Sequence, residues 1–144
     1  MKSAFIFHRH KKIPFEIPSQ WNLLTFAKFD EYPSQKDVRE LTKNALKTPI
    51  HAKALKDSLS PSDKVVIIVE DLTRASPKKL ILATLLEELN AFNIPTENIS
   101  VIIALGTHRG LTPEELESTF GRELIDRYEF VNHDCHATDL MPVG

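Results

Sequence analysis

The 144-residue sequence contains one cysteine, Cys135. A single thiol excludes a disulfide framework and a cysteine-rich zinc site within one chain. This cysteine usage fits a reducing compartment, so we expect a cytoplasmic protein. Long apolar runs are also missing, since none approaches the roughly 18 residues of a membrane span. The N-terminus lacks the apolar length and the cleavage site of a secretory signal, so no membrane partner is expected.

An excess of positive charge is missing as well. Lysine and arginine together number 18 against 20 acidic residues, which gives a net charge of −2. This balance excludes a strongly basic arm, so no nucleic-acid partner is expected. Glycine is scarce at 4 residues, against a usual share of roughly 7%. Two of the four, Gly106 and Gly110, bracket one short loop.

The overall composition, with 42% hydrophobic and 26% charged residues, is that of an ordinary globular domain. Extended segments are predicted near the N-terminus, over residues 4–7, 14–17 and 22–26. Apolar spacing then predicts a helix over 37–47 and a second short helix over 50–59. The first 45 residues are thus expected to form a strand-rich extension of the domain.

The middle of the chain has the clearest pattern. Five consecutive β-branched apolar residues, 65–69, predict a strand buried on both faces. Ser76 and Pro77 are typical of an N-cap and a first helical residue. The helix that follows, to about residue 93, is expected to bury four apolar side chains: Leu80, Ile81, Leu85 and Leu89.

A second strand is predicted over 99–105, and a third over 128–132. Between them, the capping-box pattern from Thr112 to Glu115 predicts the start of another helix. This alternation predicts an α/β, Rossmann-like fold with a parallel sheet and right-handed crossovers. Three loops then share the carboxyl edge of the sheet, where ligands bind: the first loop (70–77), the second loop (106–113) and the third loop (132–139).

The first loop carries Asp71 and Arg74. The planar guanidinium of Arg74 suits a carboxylate or a phosphate, and Asp71 could accept hydrogen bonds from ligand hydroxyls. The alternative is a purely structural role, in which Asp71 and Arg74 pair with each other and stabilise the loop.

The second loop places His108 beside Arg109 and between two glycines. A histidine at a strand end is a candidate general acid and base, because its charge changes near neutral pH. Gly106 permits a positive φ or a close backbone approach directly after the strand. The pattern is neither a dinucleotide fingerprint nor a P-loop, and a plain surface histidine is the alternative.

The third loop contains five polar or titratable residues: His133, Asp134, Cys135, His136 and Asp139. Their spacing matches no standard zinc motif, so no metal site is predicted. We expect His133 or Asp134 to orient a neighbouring loop, and a solvated turn is the alternative for the other polar residues.

Three segments resemble the lactate racemase family that uses a nickel-pincer nucleotide. They are TPIHAKALKDSLSPSDKVVIIVEDLTRASP, IIALGTHRGLTPEEL and NHDC. They cover about residues 48–135, in the family's order and at similar spacing. The resemblance implies racemisation or epimerisation of a 2-hydroxy acid by hydride transfer to that cofactor.

Carried over motif by motif, the resemblance implies that His108 is the acid/base residue and that Arg74 holds the substrate carboxylate. It implies a cofactor-binding role for five further residues: Asp71, Thr73, Gly106, Thr107 and Arg109. For Asp71, it implies a hydrogen bond to the cofactor or the substrate. In the first loop, Ala75 stands where a proline is common in the family.

The family's second catalytic histidine, its cofactor lysine and its nickel ligand belong to a later motif that this sequence lacks. We therefore expect residues 1–144 to be the N-terminal domain of a two-domain protein, with a loosely matching segment at 1–45 and an α/β core at 48–144. The C-terminal domain of the same protein is then a partner, and the fragment alone is expected to be inactive. Two alternatives stay open: a non-catalytic binding module for an anionic metabolite or nucleotide, and a homologue without the cofactor lysine.

Overall fold

The computed structural model of the chain describes residues 2–8, 11–25 and 37–142. The chain divides into two compact units, Met1–Ser34 and Gln35–Gly144. The first unit holds two antiparallel strands, β1 (Lys2–His8) and β2 (Lys11–Ile17). These strands contain the segments predicted at 4–7 and 14–17.

The third predicted extended segment, 22–26, is wrong over its described residues. Residues 22–25 have no regular secondary structure, and residue 26 lies outside the described residues. The side chain of Leu24 is almost fully exposed. No described strand pairs with this segment, and β propensity alone does not form a strand without a partner.

The second unit begins with α1 (Val38–Lys47), for which Asp37 is the N-cap and accepts a hydrogen bond from the Arg39 amide at 3.3 Å. The second helix predicted over 50–59 is wrong, because the segment forms only a turn and a short 3-10 helix, Leu55–Asp57. His51 has a φ of 53°, a left-handed conformation that interrupts a right-handed helix.

The core of the second unit is a parallel sheet of three strands, β3 (Val65–Glu70), β4 (Ile99–Ala104) and β5 (Glu129–Asn132), in that order. Helix α2 (Lys78–Ala91) connects the first two strands. Helices α3 (Pro113–Phe120) and α4 (Arg122–Arg127) connect the second two. The predicted α/β class and parallel sheet are confirmed.

Within residues 37–142, the helices pack against one face of the sheet. Val65, Ile67 and Val69 join the core formed by α2, β4 and α3, whereas Val66 and Ile68 are 56% and 69% exposed. The expected burial of β3 on both faces is therefore wrong. A run of β-branched residues makes both faces of a strand apolar, but it does not supply the helices that would cover the second face.

Helix α2 buries a different set of residues from the one predicted. Leu89 is buried as expected, and it is joined by Leu82, Thr84 and Leu86, while Leu80 and Leu85 are partly buried and Ile81 is exposed. The helix is apolar on most of its surface between residues 80 and 89, so periodicity does not select one face. Pro77 is the N-cap rather than the first helical residue.

The predicted capping box at the start of α3 is confirmed. Thr112 Oγ1 accepts from the Glu115 amide at 3.3 Å, and Glu115 Oε2 accepts from the Thr112 amide at 2.9 Å. In the parts of the chain that the structure describes, no helix is long and apolar enough to cross a bilayer.

Candidate functional site

The three loops begin at the same edge of the sheet. In the parallel register, Glu70 at the end of β3 lies beside Ala104 at the end of β4, and Ile103 lies beside Asn132 at the end of β5. Residues that follow the strands therefore meet at this edge, as the alternation of strands and helices predicts.

A buried carboxylate joins the first loop to the second. Asp71 is 7% exposed, and its Oδ1 accepts hydrogen bonds from the Thr73 amide at 3.0 Å and from Thr73 Oγ1 at 2.6 Å. Its Oδ2 lies 2.5 Å from Nδ1 of His108. Hydrogen bonds from Thr73 and then from His108 lower the pKa of Asp71 from 3.8 to about 2, so the carboxylate is ionised at neutral pH.

A tight turn presents His108. The His108 amide donates to the Leu105 carbonyl at 2.9 Å, and Gly106 within this turn has a φ of 57°. This left-handed conformation is one that glycine adopts without strain. The backbone conformation after β4 therefore favours the glycine that the sequence places there.

Asn132 fixes the far end of the second loop. Its Oδ1 accepts from the Leu111 amide at 3.1 Å, and its Nδ2 donates to the Leu111 carbonyl at 3.0 Å. A Cβ at Gly110 would lie 3.3 Å from this Nδ2, so the missing side chain lets the amide approach. Asn132 was not among the predicted site residues, although its place at the end of the third predicted strand indicates that it lies at the same sheet edge as the loops.

The orienting role expected for His133 or Asp134 therefore belongs to Asn132. Asp134 accepts from the His136 amide at 2.9 Å within its own loop. The His133 amide donates to the Ile103 carbonyl at 3.2 Å, as a continuation of the sheet. No group of three or more metal-ligating side chains occurs among the described residues.

Arg109 and Arg74 differ in how they are held. Arg109 forms a two-pronged ion pair with Glu115, with both N–O distances at 2.7 Å, and this arginine lowers the pKa of Glu115 to about 2. The guanidinium of Arg74 is exposed and pairs with no carboxylate within residues 2–8, 11–25 and 37–142. The alternative that Asp71 and Arg74 pair is wrong, because the partner of Asp71 is His108.

Contacts that do not involve the Arg74 side chain stabilise the rest of the first loop. Lys78 Nζ donates to the Arg74 carbonyl at 2.5 Å and lies 3.6 Å from a Glu70 carboxylate oxygen. The Ser76 hydroxyl donates to the same carboxylate. The backbone of Arg74 is therefore held while its guanidinium stays available to an anion.

A cavity of about 290 Å³ lies at the junction of the first two loops. Its lining comprises Asp71, Leu72, Thr73, Leu105, His108, Arg109 and Leu111. Arg74, Gly106 and Thr107 are exposed beside it rather than in its lining. A larger cavity of about 410 Å³ lies between β3 and α2, and its lining contains none of the predicted site residues.

Comparison with known proteins adds to this geometry. Residues 8–144 match the family described as lactate racemase N-terminal domain. The chain is 32% identical over 131 residues to a lactate racemase of Thermoanaerobacterium thermosaccharolyticum, covering 90% of this chain and 30% of that protein. It is 30% identical over 102 residues to a lactate racemase of Lactiplantibacillus plantarum, covering 71% of this chain and 24% of that protein.

A solved structure is similar as well. The lactate racemase apoprotein from Thermoanaerobacterium thermosaccharolyticum matches with a TM-score of 0.69 and 30% identity, over 92% of this chain and 30% of that one. The chain thus spans less than a third of the length of these relatives.

Proposed function

Because the chain belongs to the lactate racemase N-terminal domain family, we propose that it forms the N-terminal domain of an enzyme that racemises or epimerises a small 2-hydroxy acid. The proposed cofactor is a nickel-pincer nucleotide. When bound, this group supplies a hydride acceptor, which is chemistry that amino-acid side chains do not offer. The residues of this chain then bind the substrate and move its proton.

The observation that carries the proposal is the environment of His108. Its side chain is 57% exposed, at the carboxyl edge of the sheet, while its Nδ1 is held by a carboxylate that is only 8% exposed. An anchored imidazole with one free nitrogen is suited to general acid and base catalysis. We propose that Nε2 of His108 accepts the proton of the 2-hydroxyl group and later returns it.

Arg74 is the proposed binding site for the substrate carboxylate. Its guanidinium can offer two parallel N–H donors, since no described acid competes for them. Arg74 and His108 follow neighbouring parallel strands, so one ligand at the sheet edge has both loops beside it. The leucines of the cavity lining, Leu72, Leu105 and Leu111, favour a substrate with a small apolar group.

The second loop fits the organic part of the proposed cofactor. Apart from the adjacent residues, no described atom lies within 4 Å of the position that a Cβ of Gly106 would occupy, so the space beside this backbone is open to a flat ring. The exposed Thr107 offers a hydroxyl beside it. Arg109 would have to exchange its Glu115 partner to bind a phosphate, and Thr73 would act as an acceptor because its hydroxyl already donates to Asp71.

We propose that the remaining cofactor ligands and the second acid/base group come from another domain of the same protein. The greater length of the relatives supports this arrangement. It agrees with the chemistry of racemisation, in which the substrate must be deprotonated and reprotonated with the hydride returned to either face.

The test compares the same substitution at two histidines. His108→Asn removes the proposed proton acceptor, and His51→Asn is the control, because His51 is exposed and asparagine tolerates its positive φ. Protein expressed from the complete gene and loaded with cofactor is assayed for interconversion of D- and L-lactate and other 2-hydroxy acids by chiral chromatography. We expect His108→Asn to lower kcat by about 100-fold or more and His51→Asn to leave it unchanged.

Full activity of His108→Asn would reject the acid/base assignment. The alternative of a binding module predicts a different pattern, in which neither the wild type nor the variants racemise any hydroxy acid, while Arg74→Ala still weakens binding of the anion. In the proposed enzyme, Arg74→Ala raises KM, and it also lowers kcat if the guanidinium aligns the transition state.

A further inference from the structure

A second residue of the site, Asp71, contacts His108. Asp71 is buried, and both of its carboxylate oxygens form hydrogen bonds. Oδ1 accepts from the amide and the hydroxyl of Thr73, and Oδ2 contacts Nδ1 of His108. Protein donors therefore occupy three of the roughly four lone-pair sites of the carboxylate, and the side chain is buried. Asp71 and His108 are called the dyad below.

The hydrogen bonds define where the protons lie. An ionised carboxylate only accepts hydrogen bonds, and the hydrogen bonds from Thr73 and His108 hold the pKa of Asp71 at about 2. The 2.5 Å contact therefore requires a proton on Nδ1 of His108. When the imidazole is neutral, its second nitrogen, Nε2, is then an unprotonated acceptor.

We infer that Asp71, itself fixed by Thr73, is a positioning residue that keeps neutral His108 in the Nδ1–H tautomer and holds its Nε2 ready to accept a proton. This inference rests on the proposed acid/base role of His108. It goes beyond that role because it assigns the reactive nitrogen and the group that selects it. Buried carboxylates orient catalytic histidines in this way in other enzymes.

The dyad also stabilises the charge that the proton transfer creates. As the hydroxyl O–H bond of the substrate breaks, an Nε2–H bond forms, and the Nδ1–H remains hydrogen bonded to Asp71. The resulting imidazolium lies against an ionised carboxylate, which is a favourable pairing in a partly buried site. Returning the proton from Nε2 restores the neutral imidazole in the same tautomer.

Thr73 makes the consequence of Asp71→Asn predictable. Its amide and hydroxyl both donate, so they require the carbonyl oxygen of an asparagine at position 71. The asparagine NH2 group then faces Nδ1 of His108 and donates to it. The imidazole is thereby forced into the opposite tautomer, with the proton on Nε2, where it cannot act as the base.

The experiment reads the tautomer directly in this 144-residue chain. Long-range proton–nitrogen correlation spectra of histidine-labelled protein are recorded at a pH where His108 is neutral, for the wild type, three test variants and one control variant. We expect protonated Nδ1 in the wild type and in Thr73→Ser, protonated Nε2 in Asp71→Asn, and a mixture in Asp71→Ala, because no carboxylate then faces Nδ1. Asp134→Asn is the control, because Asp134 accepts only from a backbone amide of its own loop.

A wild-type His108 with its proton on Nε2, or an Asp71→Asn variant with an unchanged tautomer, would overturn the inference. If Asp71→Asn does not fold, as judged by its amide spectrum, the Asp71→Ala and Thr73→Ser pair decides the question, and an unchanged tautomer in Asp71→Ala overturns it.

Activity of the loaded full-length enzyme separates this inference from the proposed function. We expect Asp71→Asn to lower kcat by about 100-fold and to change KM little. Unchanged kcat with a switched tautomer would overturn the positioning role while leaving racemisation established. Loss of tautomer control is thus measured independently of whether the protein proves to be a racemase.

Discussion

Asn132 binds Leu111 through both backbone groups of that residue, with its amide donating to the carbonyl at 3.0 Å and accepting from the N–H at 3.1 Å. The contact joins the end of β5 to the loop that carries His108.

This relationship predicts that Asn132→Ala destabilises the chain. Loss of two partly buried hydrogen bonds lowers the free energy of unfolding by about 1 to 2 kcal/mol. Chemical denaturation of the purified chain measures the change. Asn44→Ala is the matched control, because the side chain of Asn44 lies exposed on α1, where alanine is a better helix former. Equal stabilities of Asn132→Ala and the wild type would show that the contact is not formed in solution.

A second prediction concerns the hydrophobic core, which lies on one face of the sheet. Leu86 is 2% exposed, so Leu86→Ala removes buried methyl groups and leaves a cavity, which lowers the free energy of unfolding by about 2 to 5 kcal/mol. Ile68→Ala, on the open face of β3, is the matched change and should alter it by less than about 0.5 kcal/mol. Both are measured by chemical denaturation. A large loss for Ile68→Ala would show that something covers this face.

The alternation of strands and helices predicts the positions of the three loops, because parallel strands end at one edge whatever the details of packing. It does not predict the contact between Asp71 and His108, which are 37 residues apart. That contact depends on the turn at Gly106 and on the hydrogen bonds of Thr73, which come from loop conformation rather than periodicity.

The prediction of buried faces failed for a related reason. Helix α2 carries apolar residues on most of its surface, so tertiary packing rather than periodicity determines which of them are buried. Leu82 and Leu86 are buried, whereas Leu80 is only partly buried and Ile81 is exposed. On β3, the composition is the same on both faces, and only the position of the helices decides which side chains are buried. Both cases show that the pattern of apolar residues indicates which side chains can be buried, but not which elements pack against them.

A third prediction concerns acid pH. The pKa of Asp71 falls from 3.8 to about 2 and that of Glu115 from 4.5 to about 2 in the folded chain. The unfolded state therefore takes up protons first as the pH falls, and the free energy of unfolding decreases between the unfolded values and about pH 2. Above pH 5 or so, where both states are ionised, these groups add no pH dependence. Thermal denaturation as a function of pH measures this slope.

Glu115→Gln tests the contribution of one of these carboxylates. The variant loses the ion pair with Arg109, so its melting temperature is expected to be lower at neutral pH and to change less between about pH 5 and 2. Glu97→Gln is the control, because Glu97 is exposed and has no ion pair within the described ranges. An equal acid slope in Glu115→Gln and the wild type would contradict the shift.

The fourth prediction concerns the turn that presents His108. Gly106 has a φ of 57°, and no described atom beyond its chain neighbours lies within 4 Å of a Cβ built there, so a substitution meets backbone strain rather than a clash. Gly106→Ala should lower the free energy of unfolding by about 1 kcal/mol. Gly106→Asn, which tolerates the left-handed region, should lower it less. Chemical denaturation measures both. If asparagine destabilised the chain as much as alanine, side-chain contact rather than φ would explain the glycine.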